Sequence, residues 1–396
     1  MHTLEQLRSG ALQGIKRLQL SEELTYFPEE IYDLADSLEV LDLSNNRLRD
    51  LPADLTRLTR LKIFFASNNE FEHVPDVLGQ MPQLEMIGFK HNRIEHVSEQ
   101  CFPEQTRWLI LTDNRITALP ENIGQLTRLE KFALAGNQIR VLPESFAQLK
   151  NLGLLRISAN ALTEFPEVLL ELPKLAWLAF SGNPFCPDHD EHLEFVQVHS
   201  SDIALHEVLG MGASGLISRG TWRNNEHGFA EQVAVKVFKG EVTSDGFPKD
   251  ELDACLTVGS HENLVKPLAH IHESDCAALV MDLIPADYYN LGQPPSLETC
   301  TRDTFTKGQT FTALQAERIV EQMRDLVAHL ENKSVSHGDL YAHNVLINEA
   351  GHILFGDFGA ASKYHNLTPE QQAGVRRIER RALAYFEEDI RGLVGA

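Results

Sequence analysis

An asparagine recurs through the first half of this 396-residue chain at Asn46, Asn69, Asn92, Asn114, Asn137, Asn160 and Asn183. The step is 23 residues, with one step of 22. Each copy stands in the frame L-x-x-L-x-L-x-x-N-x-L, as in Leu38-Glu39-Val40-Leu41-Asp42-Leu43-Ser44-Asn45-Asn46-Arg47-Leu48. No single copy can bury its own apolar face, so the copies must stack and share one continuous core. The Leu positions then point inward between coils. The Asn amide carries both donors and an acceptor, and it satisfies backbone groups where the chain turns. An apolar-Pro step follows many copies, at Leu51-Pro52, Leu119-Pro120 and Leu142-Pro143. Proline ends the strand side of each coil and starts its return. An earlier copy begins at Ile15, with Leu18 and Leu20 in register and Glu23 in place of the Asn. Pro184-Phe185-Cys186-Pro187 interrupts the last copy. Degenerate ends of this kind are what a stacked array needs as caps.

The pattern resembles that of leucine-rich-repeat proteins. That implies a solenoid of about eight repeats over residues 1–190, with short parallel strands on its concave face. Residues between the inward Leu positions face that surface. One column is Arg17, Val40, Ile63, Met86, Trp108, Lys131, Leu154 and Trp177. The next is Gln19, Asp42, Phe65, Gly88, Ile110, Ala133, Arg156 and Ala179. Ile63, Phe65, Met86, Trp108, Ile110, Leu154 and Trp177 make an apolar stripe, and an exposed stripe predicts a protein partner. Trp108 and Trp177 are the expected anchors. The alternative is that the second half of the chain covers these residues.

Composition narrows the partners further. Asp and Glu number 57 against 35 Lys and Arg, a net charge of −22. Such a surface repels phosphodiesters and anionic lipid, which argues against nucleic acid and membrane surfaces. Cys101, Cys186, Cys255, Cys276 and Cys300 are an odd set with no C-x-x-C pair. They predict free thiols in a reducing, cytoplasmic setting. No stretch of eighteen apolar residues occurs, so no membrane span is expected, and the first residues lack the apolar core of a secretory signal.

The second half carries a different signal. Gly210-Met211-Gly212-Ala213-Ser214-Gly215 precedes Val233-Ala234-Val235-Lys236. His337-Gly338-Asp339-Leu340-Tyr341-Ala342-His343-Asn344 follows, and then Asp357-Phe358-Gly359. Glycines allow backbone N–H groups close to phosphate oxygens. Val233, Val235 and Val237 alternate with Ala234 and Lys236, which predicts a strand presenting the lysine. Asp339, Asn344 and Asp357 supply oxygen donors suited to one or two Mg²⁺ ions and to orienting a hydroxyl. Singly, each motif has a plain reading as a hairpin turn or as solvated loop acids. At roughly 1 in 20 per fixed position, the ordered set does not arise by chance.

The set resembles the signature of eukaryotic-type protein kinases, from about Asp202 onward. The implied fold class is α/β: a leucine-rich-repeat solenoid, a linker over 191–202, and an α+β bilobal domain over 203–396. Its N-lobe would be 203–284 and its C-lobe, shortened, 285–396. The resemblance implies ATP at Leu209, Gly210, Met211, Gly212, Ala213, Ser214, Gly215, Ile217, Ala234, Lys236, Glu251, Met281, Leu283 and Leu346. Lys236 would meet the α- and β-phosphates, with Glu251 as its helix partner. Asp339 would orient the substrate hydroxyl and accept its proton, and Asn344 and Asp357 would hold Mg²⁺. Lys236, Asp339 and Asn344 make the catalytic set. Thr312–Leu330 is helical by period, at Leu314, Ile319, Met323, Leu326, Val327 and Leu330.

The implied activity is transfer of the ATP γ-phosphate to a protein hydroxyl, Ser or Thr ahead of Tyr, with the repeats recognising protein. Two other readings stay open. One is a scaffold that no longer transfers phosphate. The other is a small-molecule phosphotransferase of the aminoglycoside or choline type, which H-G-D-L-x-x-x-N also resembles. Gly338 replaces the Arg of H-R-D, which implies activity without a phosphate on the activation segment. No A-P-E occurs, and Glu388–Leu393 resembles the helix whose Asp, here Asp389, braces the catalytic loop. Asp188-His189-Asp190-Glu191-His192 and His199 are expected to form a solvated connector rather than a metal site, since no compact second ligand pair follows.

Overall fold

The computed structural model describes residues 1–189, 195–212, 214–239 and 242–395. The chain divides into two compact units, Met1–Leu175 and Ala176–Ala396.

The first unit opens with a short helix, α1 (Leu4–Arg8), capped by Thr3. Seven three-residue strands follow, starting at Arg17, Val40, Ile63, Met86, Trp108, Lys131 and Leu154. They pair in parallel in chain order, with those first residues in register from coil to coil. The middle residues Leu18, Leu41, Phe64, Ile87, Leu109, Phe132 and Leu155 are fully buried. Returns run through 3-10 turns that start directly after Pro28, Pro52, Pro75, Pro120, Pro143 and Pro166. The return after Met86–Gly88 has no such turn among the described residues, and Ser98 stands there where other copies carry Pro. This is also the copy that is one residue short.

The asparagines form a ladder. Asn69 Nδ2 donates to Leu43 O at 2.9 Å and Ala66 O at 3.1 Å, while its Oδ1 accepts from Leu48 N at 2.9 Å. Asn137 repeats the scheme with Leu111 O, Leu134 O and Ile116 N. Each amide thus ties two coils through backbone groups that would each cost about 1–3 kcal/mol if left unpaired. The residue before each ladder Asn has positive φ: Asn45, Asn68, His91, Asp113, Gly136, Ala159 and Gly182. Such a turn favours Asn, Asp and Gly, and Ala159 occupies it at a steric cost. In the first copy the positive φ falls on Glu23 itself, so that coil is irregular.

The concave columns lie where the repeat frame put them, but the stripe is not open. Ile63, Met86 and Leu154 are buried, at 7%, 3% and 3% exposure, and Trp177 at 2%. Residues in register on strands less than 5 Å apart pack on one another. Ile63 pairs with Met86 and Met86 with Trp108. The ring of Phe65 lies over Gly88, where a Cβ would come within 2.7 Å of it. Phe65, Trp108 and Ile110 remain half-buried, and the Lys131 ammonium sits 4.3 Å from the Trp108 ring centre.

The second unit begins one repeat earlier than the expected boundary at residue 190. Its first strand is Trp177–Ala179, whose Trp177 belongs to the packing of this unit. A six-stranded sheet follows, in the order Ile203–Met211, Gly215–Trp222, Gln232–Phe238, Ala277–Asp282, Pro267–His272 and Val196–Gln197. The last strand lies inside the expected linker. It pairs in parallel with Pro267–His272, and Val198 enters the sheet's core with Ile203, Val233, Val235, Ala269 and Val280. Residues 190–194 of the expected connector lie outside the described residues. His189 pairs with Asp250 and His199 with Glu273, so these two histidines do not converge. Helix α2 (Pro248–Val258) packs Leu252 and Leu256 on Leu279.

Beyond the sheet, α3 (Ala313–Asn332) starts at a Thr312–Gln315 capping box and buries Ile319, Val320, Met323, Leu326, Val327 and Leu330. Leu314 of the expected stripe is exposed. Helix α4 (Pro369–Gly392) starts likewise at Thr368 and buries Val375, Ile378, Ala382, Phe386 and Ile390. Short pairings join Tyr289–Asn290 to Val345–Ile347, that strand to Ile353–Phe355, and Val335–Ser336 to Ser362–Lys363. No helix among the described residues is long and apolar enough to cross a membrane.

Candidate functional site

A cavity of about 370 Å³ opens in the second unit between the six-stranded sheet and the segments after α3. Its apolar wall includes Ile217, Leu264, Val265, Leu279, Met281, Ile284, Leu346 and Leu354. Its polar end includes Lys236, Glu251, Asn344 and Asp357, and Gly210 and Gly212 of the hairpin lie along its rim.

Strand pairing aims Lys236. Gln232–Phe238 is the centre of the sheet, and alternation sends Val233 and Val235 into the core. Lys236, on the other face, is 8% exposed. Its Nζ pairs with Glu251 of α2 and lies 3.9 Å from Asp357 Oδ1. Burial opposes the ammonium charge, but Glu251 and Asp357 outweigh it and hold the lysine above its ordinary pKa. Cys255, one turn beyond Glu251, also lines the cavity, and burial keeps its thiol protonated.

The glycines of the hairpin have different reasons. At Gly210 and Gly212 an added Cβ would meet nothing within 4 Å. At Gly215 it would lie 2.3 Å from Val237 O. Gly215 is therefore required by close strand approach, not by room for a ligand. Ala213 lies outside the described residues. Leu209, Ser214, Gly215, Ala234 and Leu283 are not among the residues lining the cavity. Leu209 is exposed, Ala234 is buried on the same strand face as Lys236, and Ser214 is buried at the hairpin.

Asp339 does not line the cavity either. It is joined to it through Asn344, whose Nδ2 donates to Asp339 Oδ2 at 2.8 Å and to Asp339 O at 3.0 Å. His337 fixes the loop from beneath. Its Nε2–H donates to Gly356 O at 3.0 Å, and its Nδ1 accepts from Asp339 N at 3.3 Å. The ring stacks on Phe355 at 4.0 Å. Burial lowers the imidazole pKa and keeps it neutral, in the tautomer these two bonds require. One side chain thus couples Asp339 to the strand end that leads into Asp357.

The expected brace, Asp389, is elsewhere. It pairs with Arg302, whose guanidinium lies over Tyr385. The loop is braced instead by Glu379, nearly three turns earlier on α4. Glu379 is 2% exposed. It accepts from Ser336 Oγ at 2.6 Å, His337 N at 3.0 Å and Gly338 N at 3.3 Å. A sequence signal existed: Glu379 stands on the apolar face defined by Val375, Ile378, Ala382 and Phe386, where a carboxylate needs a buried partner.

The donor set is one that a Mg²⁺–nucleotide would fit. Carboxylate and carboxamide oxygens suit a hard cation, a buried ammonium suits phosphate, and the apolar wall suits a flat base. Among the described residues no group of three or more His, Cys, Asp or Glu side chains forms a separate metal cluster.

Residues 203–384 match the family described as protein tyrosine and serine/threonine kinase. Residues 36–94, 104–162 and 127–185 match the leucine rich repeat family. The chain carries leucine-rich repeats followed by a protein kinase domain. It is 26% identical over 163 residues to the serine/threonine-protein kinase PKH3 of Eremothecium gossypii, a match covering 40% of this chain and 21% of that one. It is 30% identical over 138 residues to the serine/threonine-protein kinase PITSLRE of Drosophila melanogaster, covering 34% and 14%. It is 26% identical over 183 residues to the human activin receptor type-1B, covering 44% and 34%. The matches thus span between about a seventh and a third of these relatives' own lengths.

Proposed function

We propose that residues 203–396 form an active, ATP-dependent protein kinase, that Ser or Thr is its acceptor ahead of Tyr, and that residues 1–190 recruit protein. The observation that carries the reading is the placement of Lys236 between Glu251 and Asp357 at the polar end of a cavity whose wall also includes Asn344. In this reading Met281, Leu346 and Ile217 enclose the adenine, Ala234 leaves room for it, and Leu283 meets its edge. Gly210, Met211 and Gly212 cover the phosphates, while Leu209, Ser214 and Gly215 shape the hairpin.

Lys236 binds the α- and β-phosphates and is kept charged for that task by Glu251. Asn344 uses its amide N–H groups on Asp339, which leaves Oδ1 for a cation beside the Asp357 carboxylate. When bound, Mg²⁺ neutralises charge on the transferring phosphate. Asp339, held by Asn344 and by the His337 imidazole, orients the acceptor hydroxyl and takes its proton. The chemistry is mostly positioning and electrostatics, so a rigid loop is the main requirement. Two of the relatives are named as serine/threonine kinases, which supports that acceptor class.

For the repeats, the half-buried Phe65, Trp108 and Ile110 are the apolar concave residues left to meet a partner. The five free cysteines support a reducing, cytoplasmic setting.

The test is Mg²⁺-dependent transfer from radiolabelled ATP to the chain itself and to myelin basic protein, followed by phosphoamino-acid analysis. Phosphoserine or phosphothreonine supports the reading. Phosphotyrosine alone reverses the acceptor class. ATP binding without transfer favours a scaffold, and transfer only to amino alcohols favours a small-molecule kinase.

A further inference from the structure

The two residues that flank Asp339 are both met by the last leucine-rich coil, within the same compact unit. On one side, Trp177 Nε1–H donates to Leu340 O at 3.0 Å. The Trp177 ring stacks on Tyr341, with centroids 4.5 Å apart and planes 8° apart, and also on Tyr385 of α4 at 5.5 Å. On the other side, the Leu178 carbonyl closes on Gly338. An added Cβ there would lie 2.7 Å from Leu178 O and 2.6 Å from Ala360 O, at a φ of +71°. The same coil reaches the segment after Asp357-Phe358-Gly359: Phe180 N and Ser181 N donate to Ser362 Oγ at 2.9 and 3.1 Å.

We propose that this terminal coil is a built-in brace of the catalytic loop, and that Trp177 is its positioning residue for Asp339. Trp177 is not among the residues that line the cavity; it meets the loop at Leu340 and Tyr341. An ordinary repeat needs only an apolar residue or a solvated one at this concave position. A tryptophan that spends its N–H on a loop carbonyl does something that stacking coils do not require. Gly338 has the matching explanation. The coil backbone occupies the space that any side chain at 338 would need, so an arginine cannot stand there. At this position the loop is held by the coil backbone in place of a side chain.

This inference rests on the kinase reading, and the test separates the two. In the full chain, kcat and KM for ATP would be measured with myelin basic protein, alongside ATP affinity by equilibrium binding, for wild type, Trp177→Ala and Trp177→Phe. A positioning role predicts kcat of Trp177→Ala lowered about tenfold or more, ATP affinity within about twofold, and partial recovery in Trp177→Phe, which keeps the stack and loses the donor. Should the alanine variant not fold, Trp177→Phe carries the test with a kcat lowered several-fold. Unchanged kcat in the folded variants overturns the proposal. So does a fall in ATP affinity equal to the fall in kcat, because a purely structural role would move both. A wild-type chain that binds ATP and transfers nothing overturns the kinase reading, and this inference with it.

Discussion

The buried carboxylate of Glu379 accepts the backbone N–H of His337 at 3.0 Å, across 42 positions of sequence. It also takes the Ser336 hydroxyl and the Gly338 N–H. Glu379→Ala would leave those donors buried and unpaired. We expect a loss of about 2–4 kcal/mol of stability, from about 1–3 kcal/mol per orphaned group with partial relaxation. Glu379→Gln keeps acceptor oxygen at the site and should lose about half as much. Denaturant titration of both variants measures this. Equal and small losses would mean that Glu379 is not the brace.

Gly338 is left-handed and pressed by two carbonyl oxygens. Gly338→Arg supplies the arginine of the H-R-D pattern that this segment resembles. It is expected to lose about 1–3 kcal/mol from backbone strain alone, and transfer activity should fall with it. The measurement is thermal unfolding beside the transfer assay. A variant that is stable and more active would contradict the packing described for this position.

His337 predicts a pH dependence with a definite sign. Its folded pKa is lowered from the ordinary 6.5, first by burial, against the opposing pull of Glu379, Asp339, the Gly356 carbonyl and Asp357. Below about pH 6.5 the unfolded chain takes up a proton at this ring that the folded chain refuses. The stability contributed by the neutral ring is therefore full above 6.5 and declines as pH falls toward the depressed folded value. Unfolding free energies at pH 7.5 and 5.5 should show a smaller acid loss in His337→Gln than in wild type. Identical losses would show that the ring is protonated in the fold.

Short-range patterns made much of this molecule legible before its structure. The Asn period fixes coil length and register, because each amide serves the backbone of its own coil and the one before. Gly210–Gly215, Lys236 and His337–Asn344 were visible because each motif sets its geometry within a few residues. What stayed hidden is long-range. Ile63, Met86 and Leu154 look exposed in a repeat frame, yet neighbouring strands are close enough for them to cover one another. The polar stretch before Ile203 conceals the edge strand Val196–Gln197. The motif resemblance points to Asp389, at the far end of a 24-residue helix from Glu379, because it reads only neighbouring residues. The repeat frame puts Trp177 on the concave face, and nothing local says that Tyr341 meets it.

Asp339 carries the central claim, and Asp339→Asn tests it with least disturbance to the fold, because an amide can still meet Asn344. The measurement is the rate of Mg²⁺-dependent phosphate transfer from ATP to protein, taken with ATP binding on the same preparation. Loss of the general base predicts a rate lower by about 10²–10⁴-fold, with ATP affinity and unfolding temperature close to wild type. Transfer by Asp339→Asn at the wild-type rate would contradict the account.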